Sequence, residues 1–156
     1  MKIFDSHAHY DDSRFDGIRD EIITEVHSLG VEKITNIGAS LSSSRTSLEL
    51  SNKFAFVYCT VGVHPSDAVE DMKNENWLTE LEEMYKSSDK AVAIGEIGLD
   101  YHYGKEEKEE QKTCFEAQMS LAEKLGAPVI IHDREAHEDT LKILAKYPSV
   151  EGTSFK

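Results

Sequence analysis

Short apolar segments alternate with longer amphipathic segments along the whole chain. The apolar segments are rich in β-branched residues, and they are typical of parallel strands that are covered on both faces. The predicted strands are KIF at 2–4, VEKITNIGA at 31–39, FAFVYCTVGVHP at 54–65, KAVAIGEIGLDY at 90–101 and APVIIHD at 127–133. The tail SVEGTSFK at 149–156 is compatible with the start of a sixth strand.

Apolar residues recur at helical spacing between these strands. The first such set predicts one apolar helix face and comprises Phe15, Ile18, Ile22, Val26 and Leu29. Ser13 and Asp16 resemble a capping pair at the start of this helix, and Gly30 follows its last apolar position. Further helices are predicted over 42–53, 74–87, 106–125 and 135–147.

Two of these later helices have a defined predicted face. It consists of Phe115, Met119, Ala122 and Leu125 in the longer helix, and of His137, Leu141 and Leu144 in the last one. A strand followed by a helix about every 30 residues predicts βα units, in either a doubly wound sheet or a (β/α)8 barrel. A chain of 156 residues is long enough for one domain with a sizeable core.

The charge balance narrows the range of partners. Asp and Glu outnumber Lys and Arg by 30 to 17, which argues against a broad basic face for duplex DNA. Bound divalent cations nevertheless add positive charge that a residue count omits.

Cys59 and Cys114 lack CxxC spacing and are expected to be buried thiols. No segment approaches the length of a membrane span, and we expect a cytoplasmic location without membrane attachment.

Histidine and glutamate recur where the predicted strands end. His7 and His9 follow the first strand, His64 the third and His132 ends the fifth, while Glu96 lies in the fourth. One histidine at a strand end is usually an ordinary polar residue in a turn. Delivery from four strands favours a shared site, because barrel enzymes assemble their active sites at the carboxyl ends of strands. The position of these residues at the strand ends therefore favours the (β/α)8 barrel over the doubly wound sheet.

The residue types point to metal chemistry. Imidazole and carboxylate ligands suit Zn, Mn, Ni or Fe, and Mg less well. Glu96 lies in an apolar strand, where it either bridges two cations or forms a salt bridge in the core. Two metal ions about 3.5–4 Å apart polarise an ester oxygen and activate water.

Four segments carry a resemblance to a known family. DSHAHY, GVHP, GEIGLDYHYG and PVIIHDREAHEDTLKIL resemble the TatD family of metal-dependent hydrolases, within the amidohydrolase superfamily, from residue 1 to about 150. This resemblance implies a (β/α)8 barrel, two divalent metal ions and deoxyribonuclease activity on DNA, as single strands or strand ends. It also implies that His7 and His9 bind one metal, that Glu96 bridges both as the catalytic carboxylate, and that His132 binds the second.

The resemblance gives two more residues a place near the substrate. His64 would line the pocket and Arg134 would pair with a phosphate. His64 can instead cap the end of its strand, and Arg134 can pair with Asp133 or Glu135. Residues 100–103 form either the edge of the pocket or the core of a loop.

The chain departs from the family pattern after its fifth strand. Family members have about 250 residues, the usual size of a barrel, so we expect residues 1–156 to form a single domain, truncated after about five βα units, without the C-terminal part of the barrel. EGTSFK stands where the family has an HCFSG-like motif with a metal-binding histidine, and the eighth-strand aspartate is absent.

These differences lead to further expectations. Both metal sites would be weakened, and the open edge of the sheet would favour self-association. Two other functions remain open from the residues alone. One is hydrolysis of C–N or carboxylic ester bonds on the same metal core, and the other is an inactive remnant that binds metal or a partner.

Overall fold

The predicted strands all form in the computed structural model, which describes residues 2–150 and 152–155. They are β1 (Ile3–Ala8), β2 (Val31–Asn36), β3 (Val57–Val61), β4 (Ala91–Asp100), β5 (Val129–Arg134) and β6 (Gly152–Phe155). Neighbouring strands are parallel and follow the chain order from β1 to β6. A doubly wound sheet reverses its strand order at a switch point. The sequential order therefore confirms the barrel-type prediction, with five βα units and a sixth strand.

The helices fill the connections between the strands. They are α1 (Arg19–Ser28), α2 (Leu41–Lys53), α3 (Ala68–Asp71), α4 (Trp77–Lys86), α5 (Lys108–Leu125) and α6 (His137–Leu144). The predicted cap of the first helix is wrong, because the Asp12 side chain accepts the Arg14 N–H and caps a short 3-10 turn, Ser13–Phe15. The α-helix itself begins only at Arg19.

The main core lies between the central strands and the long helix α5. Ile94, Ile97 and Leu99 of β4 are fully buried, and Phe115 and Met119 of α5 belong to the same cluster. The predicted apolar face of this helix is confirmed, with Leu125 packed at its margin. This core packs around β4, the strand that carries Glu96, near the centre of the described sheet.

The predicted faces of two other helices are only partly confirmed. In α1 Val26 packs against a smaller core cluster as predicted, but the fully buried residue is Ile23, and Leu29 is 76% exposed. In α6 Leu144 packs against the main core as predicted, but Thr140 and Ile143 are buried and Leu141 is 61% exposed. Each helix is therefore rotated about its axis relative to the face that the apolar spacing predicts.

The first strand also differs from the expectation of full coverage. Ile3 and Phe4 are 41% and 59% exposed, and among the described strands β1 pairs only with β2.

Within the described residues, no helix has both the length and the apolar character that a bilayer crossing requires.

Candidate metal centre

The first cluster of ligand atoms joins β1 to β4. His7 lies in β1, His9 follows its last residue, and their Nε2 atoms are 3.1 Å apart. The His7 Nε2 atom is also 3.4 Å from Oε2 of Glu96. One ligand atom from each of the three residues lies within 4.8 Å of the others. Strand alternation explains the pairing, because residues i and i+2 leave a strand on the same side.

The second cluster joins β4 to β5 and to the segment after β3. The Nδ1 atom of His132 is 3.2 Å from Oε1 of Glu96, and the His132 ring meets the His64 ring edge-on at 4.2 Å between centroids. Ligand atoms of His64, Glu96 and His132 again lie within 4.8 Å of one another. Glu96 therefore belongs to both clusters and offers a different oxygen to each.

Glu96 is charged although it is 5% exposed. Burial by itself would raise the pKa of its carboxyl group, but hydrogen bonds from His132 and His7 outweigh burial, and the pKa lies well below its usual range. An unpaired charge at this depth would be costly. The partners of Glu96 are the imidazoles of His7 and His132, which gather at the strand ends, so either protonated histidine or bound cations balance its charge.

A second buried carboxylate, Asp100, contacts the same histidine. Its Oδ2 atom lies 3.2 Å from Nε2 of His132, while its Oδ1 atom accepts the backbone N–H groups of His102 and Tyr103. Burial alone would lower the pKa of His132, but the Glu96 and Asp100 carboxylates outweigh it and raise that pKa. The sequence pattern alone does not decide whether Asp100 belongs to the edge of the pocket or to the core of a loop. Its spacing of four from Glu96 along one strand was the signal that places both on one face.

Gly98 allows the two strands to approach. It is the register partner of His132 and has a φ of +145°, which favours glycine. A Cβ atom at this position would lie 2.0 Å from the His132 carbonyl oxygen. The glycine between Glu96 and Asp100 thus lets β5 come close enough for His132 to reach both carboxylates.

His64 has one ring nitrogen engaged away from the cluster. Its Nδ1 atom accepts the Ser66 backbone N–H at 3.1 Å and lies 2.8 Å from the Ser66 hydroxyl. Burial and the neighbouring His132 lower the pKa of His64 to about 4. The ring is therefore neutral at pH 7, and with Nδ1 accepting a hydrogen bond its proton resides on Nε2.

Arg134 lies at the rim, two residues beyond His132. Its guanidinium carbon stands 4.6 Å from the centroid of the Tyr103 ring, and Tyr103 is 75% exposed. The carboxylates considered as alternatives for Arg134 have other partners: Asp133 binds His137, and Glu135 binds His102. The structure thus places the Arg134 side chain against an aromatic ring at the edge of the centre.

The donor set of both clusters fits divalent cations. The first cluster offers two imidazoles and one oxygen of an ionised carboxylate within the reach of a single ion, and the second offers the His132 imidazole and the other oxygen of Glu96, with the Nε2–H group of His64 beside them. Two ring nitrogens at 3.1 Å, as in His7 and His9, satisfy each other only if one is protonated, whereas a cation accepts both lone pairs. Imidazole and carboxylate are ligands that Zn, Mn, Ni and Fe accept in proteins.

Known proteins resemble this chain over nearly its whole length. The family model described as TatD related DNase matches residues 4–155. The metal-dependent hydrolase YabD of Bacillus subtilis is 38% identical over 144 residues, which cover 91% of this chain and 54% of that protein. The 3'-5' ssDNA/RNA exonuclease TatD of Escherichia fergusonii is 33% identical over 143 residues, with the same coverage. The deoxyribonuclease Tat-D of Schizosaccharomyces pombe is 36% identical and is matched over 44% of its length.

A solved structure agrees with this result. The TatD homologue YJJV of Escherichia coli superposes with a TM-score of 0.85 at 26% identity, covering 99% of this chain and 61% of that one. The chain spans about half the length of the curated relatives it matches.

Proposed function

We propose, since the chain belongs to the TatD related DNase family, that this protein is a metal-dependent hydrolase that cleaves phosphodiester bonds of DNA, as single strands or at strand ends. The observation that carries the proposal is the shared carboxylate: Glu96 offers one oxygen to His7 and the other to His132. Relatives named as an ssDNA/RNA exonuclease and as a deoxyribonuclease support nucleic acid as the substrate.

The two clusters together would bind two divalent cations, which can be Zn, Mn, Ni, Fe or Mg. His7, His9 and Glu96 would hold one ion, and Glu96 with His132 would hold the other. Such ions supply Lewis acidity toward a phosphoryl oxygen and lower the pKa of water. They also explain how a chain with a formal charge of −13 attracts a polyanion, because the positive charge is concentrated at the centre.

Two side chains, His64 and Arg134, would bind the phosphate itself. The neutral His64 ring, with Nδ1 held by the Ser66 N–H, keeps an N–H donor at Nε2 for a phosphate oxygen. Its position beside His132 puts this donor at the second cluster. Arg134 lies at the rim, and its planar guanidinium suits a bidentate contact with phosphate. These contacts favour phosphodiesters over amides and carboxylic esters, which carry no comparable charge.

Tyr103 supports the preference for single strands. An exposed aromatic ring beside an arginine offers a stacking surface for an unpaired base, which a duplex does not present. Stacking of one base is worth about 1–3 kcal/mol. We expect Tyr103→Ala to raise KM for a single-stranded oligonucleotide about 5- to 150-fold, because that energy is lost. Tyr103→Phe keeps the ring and is the matched control. Equal KM values for all three proteins would remove Tyr103 from the substrate site.

The activity itself is tested with end-labelled oligonucleotides. The purified protein is incubated with single-stranded and duplex DNA in the presence of Mn, Zn or Mg, and in parallel with EDTA. We expect metal-dependent cleavage that is faster on the single strand and absent in a Glu96→Gln preparation. Glu135→Gln, which alters an exposed carboxylate bound to His102, is the control that should retain activity. Hydrolysis of chromogenic carboxylic esters without any cleavage of DNA would contradict the proposal.

A further inference from the structure

The hydroxyl of Thr60, a fully buried residue of β3, bridges two backbone groups that are distant in the sequence. Its Oγ1 atom accepts the backbone N–H of Gly38 at 3.2 Å. The same hydroxyl donates its hydrogen to the carbonyl oxygen of Gly95 at 2.5 Å. Both directions are fixed, because a backbone N–H only donates and a backbone carbonyl oxygen only accepts.

The Gly95 carbonyl belongs to the peptide group that leads into Glu96. The nitrogen of this peptide group is the Glu96 N–H, which donates to the carbonyl oxygen of Gly38 at 2.7 Å. The peptide group before Glu96 is therefore bound to Gly38 twice, once directly and once through the hydroxyl of Thr60. We call these three hydrogen bonds the Thr60 clamp.

The Thr60 clamp lies at a gap in the strand pairing. Register pairs between β3 and β4 end at Val61 with Ile94. Register pairs between β4 and β5 stop at Ile94 and resume at Ile97. Glu96 lies within this gap, so in the described sheet no register pair fixes it on either side. The Thr60 clamp supplies hydrogen bonds at the position where the regular pairing is interrupted.

We propose that Thr60 is a positioning residue for the metal centre: its hydroxyl fixes the peptide group from which the Glu96 side chain extends to both clusters. This inference rests on the proposed function, in which two cations share Glu96. Thr60 lies outside both clusters, so it acts through the main chain of Glu96. A displaced peptide group moves both carboxylate oxygens, which lie 3.4 Å from His7 and 3.2 Å from His132. Loss of the hydroxyl should therefore weaken both metal sites.

Three variants separate the hydroxyl from simple packing. Thr60→Val replaces the hydroxyl by a methyl group of similar size and leaves a buried N–H and a buried carbonyl without this partner. Thr60→Ser retains the hydroxyl and is the rescue variant. Thr140→Val is the matched control, because Thr140 is similarly buried but its hydroxyl has no hydrogen-bond partner in the described part of the chain. If Thr60→Val does not fold, Thr60→Ala is compared with Thr60→Ser, since these two differ only in the hydroxyl.

The first measurement is amide hydrogen exchange, followed by NMR in the metal-free protein. The Glu96 N–H reports on the Thr60 clamp, and the Ile94 N–H, which donates to the Pro128 carbonyl oxygen, reports on the rest of β4. A global loss of stability speeds exchange at both amides, whereas local opening speeds it at Glu96 alone. In Thr60→Val we expect exchange at Glu96 to rise relative to Ile94 by about fivefold or more, the lower end for an unpaired buried polar group. Thr60→Ser and Thr140→Val should keep the ratio of the unaltered protein.

The second measurement is Zn affinity by calorimetry. We expect the affinity for both Zn ions to fall about 10–100-fold in Thr60→Val, the usual loss when the support of a metal ligand is removed, and to recover in Thr60→Ser. Equal acceleration of exchange at Glu96 and Ile94 would overturn the inference, as would unchanged Zn affinity or a loss confined to one ion. Selective acceleration at Glu96 without Zn binding by the unaltered protein would support the role of Thr60 in holding Glu96 but contradict the proposed function.

Discussion

Replacement of Gly98 by alanine tests how the centre is assembled. The added Cβ atom would lie 2.0 Å from the carbonyl oxygen of His132 and 2.9 Å from its carbonyl carbon. A carbon–oxygen contact is normally about 3.3 Å or longer, so β4 and β5 must separate locally by about 1.3 Å. Both atoms in the clash belong to backbone, so a rotamer change does not relieve it.

The magnitude follows from two contributions. A non-glycine residue at the φ of Gly98 is strained by about 1–3 kcal/mol. Separation of the strands weakens one or two backbone hydrogen bonds, at about 1 kcal/mol each. We expect a loss of about 3 kcal/mol in the free energy of unfolding and a fall in Tm of about 6–12 °C. Because His132 moves with β5, its 3.2 Å contact with Glu96 lengthens, and affinity for one of two metal ions should fall.

Gly126→Ala provides the matched control. Gly126 ends α5 with a φ of +62°, and a Cβ atom there would have no heavy atom within 4 Å. This variant has the cost of backbone strain, about 1–2 kcal/mol, without a clash. Urea unfolding and Zn calorimetry are run on both variants. If Gly98→Ala is no less stable than Gly126→Ala and binds Zn as the unaltered protein does, close approach of the strands does not position His132.

Two further predictions concern the charge of the centre and the response of the core to pH. Glu96→Gln should reduce affinity for both metal ions, measured by calorimetry, with little change in circular dichroism; full affinity would show that the carboxylate is not shared. Burial raises the pKa of the Cys114 thiol to about 12, above the value of about 8.5–9 expected in the unfolded chain. The contribution of this group to stability is constant below pH 9 and is lost as pH rises from 9 toward 12, because only the unfolded state ionises there. Urea unfolding at pH 8 and 10.5 should show a smaller pH dependence in Cys114→Ala than in the unaltered protein; an identical dependence would contradict the burial argument.

The sequence pattern predicted the strands well because parallel strands are apolar almost throughout. Helix faces were harder to predict. In α6 the pattern favoured His137, Leu141 and Leu144; Leu144 does pack against the core, but Thr140 and Ile143 are buried and Leu141 is exposed. The spacing of apolar residues does not specify how a helix is rotated about its axis relative to the sheet.

In the metal centre, the residues at the strand ends could be predicted from the sequence, whereas the contacts between them could not. His7, His9, Glu96 and His132 are brought together as their strand ends predicted, although their roles as ligands stay a prediction. The contact between Asp100 and His132 required the register of β4 against β5, which the sequence does not contain. His64 was expected to line the pocket, but only the structure shows that Ser66 engages its Nδ1 atom.

The sequential order of the sheet also has a consequence for folding. Each strand pairs with the strand that precedes it in the chain, so the scaffold can grow one unit at a time through short loop closures, as the chain leaves the ribosome. The residues of the metal centre, in contrast, lie far apart in the sequence, from position 7 to position 132. It is completed only when β5 docks on β4. During refolding, a cation would therefore bind to the complete centre only after β5 has paired with β4. Metal binding followed by stopped flow should lag behind the formation of secondary structure.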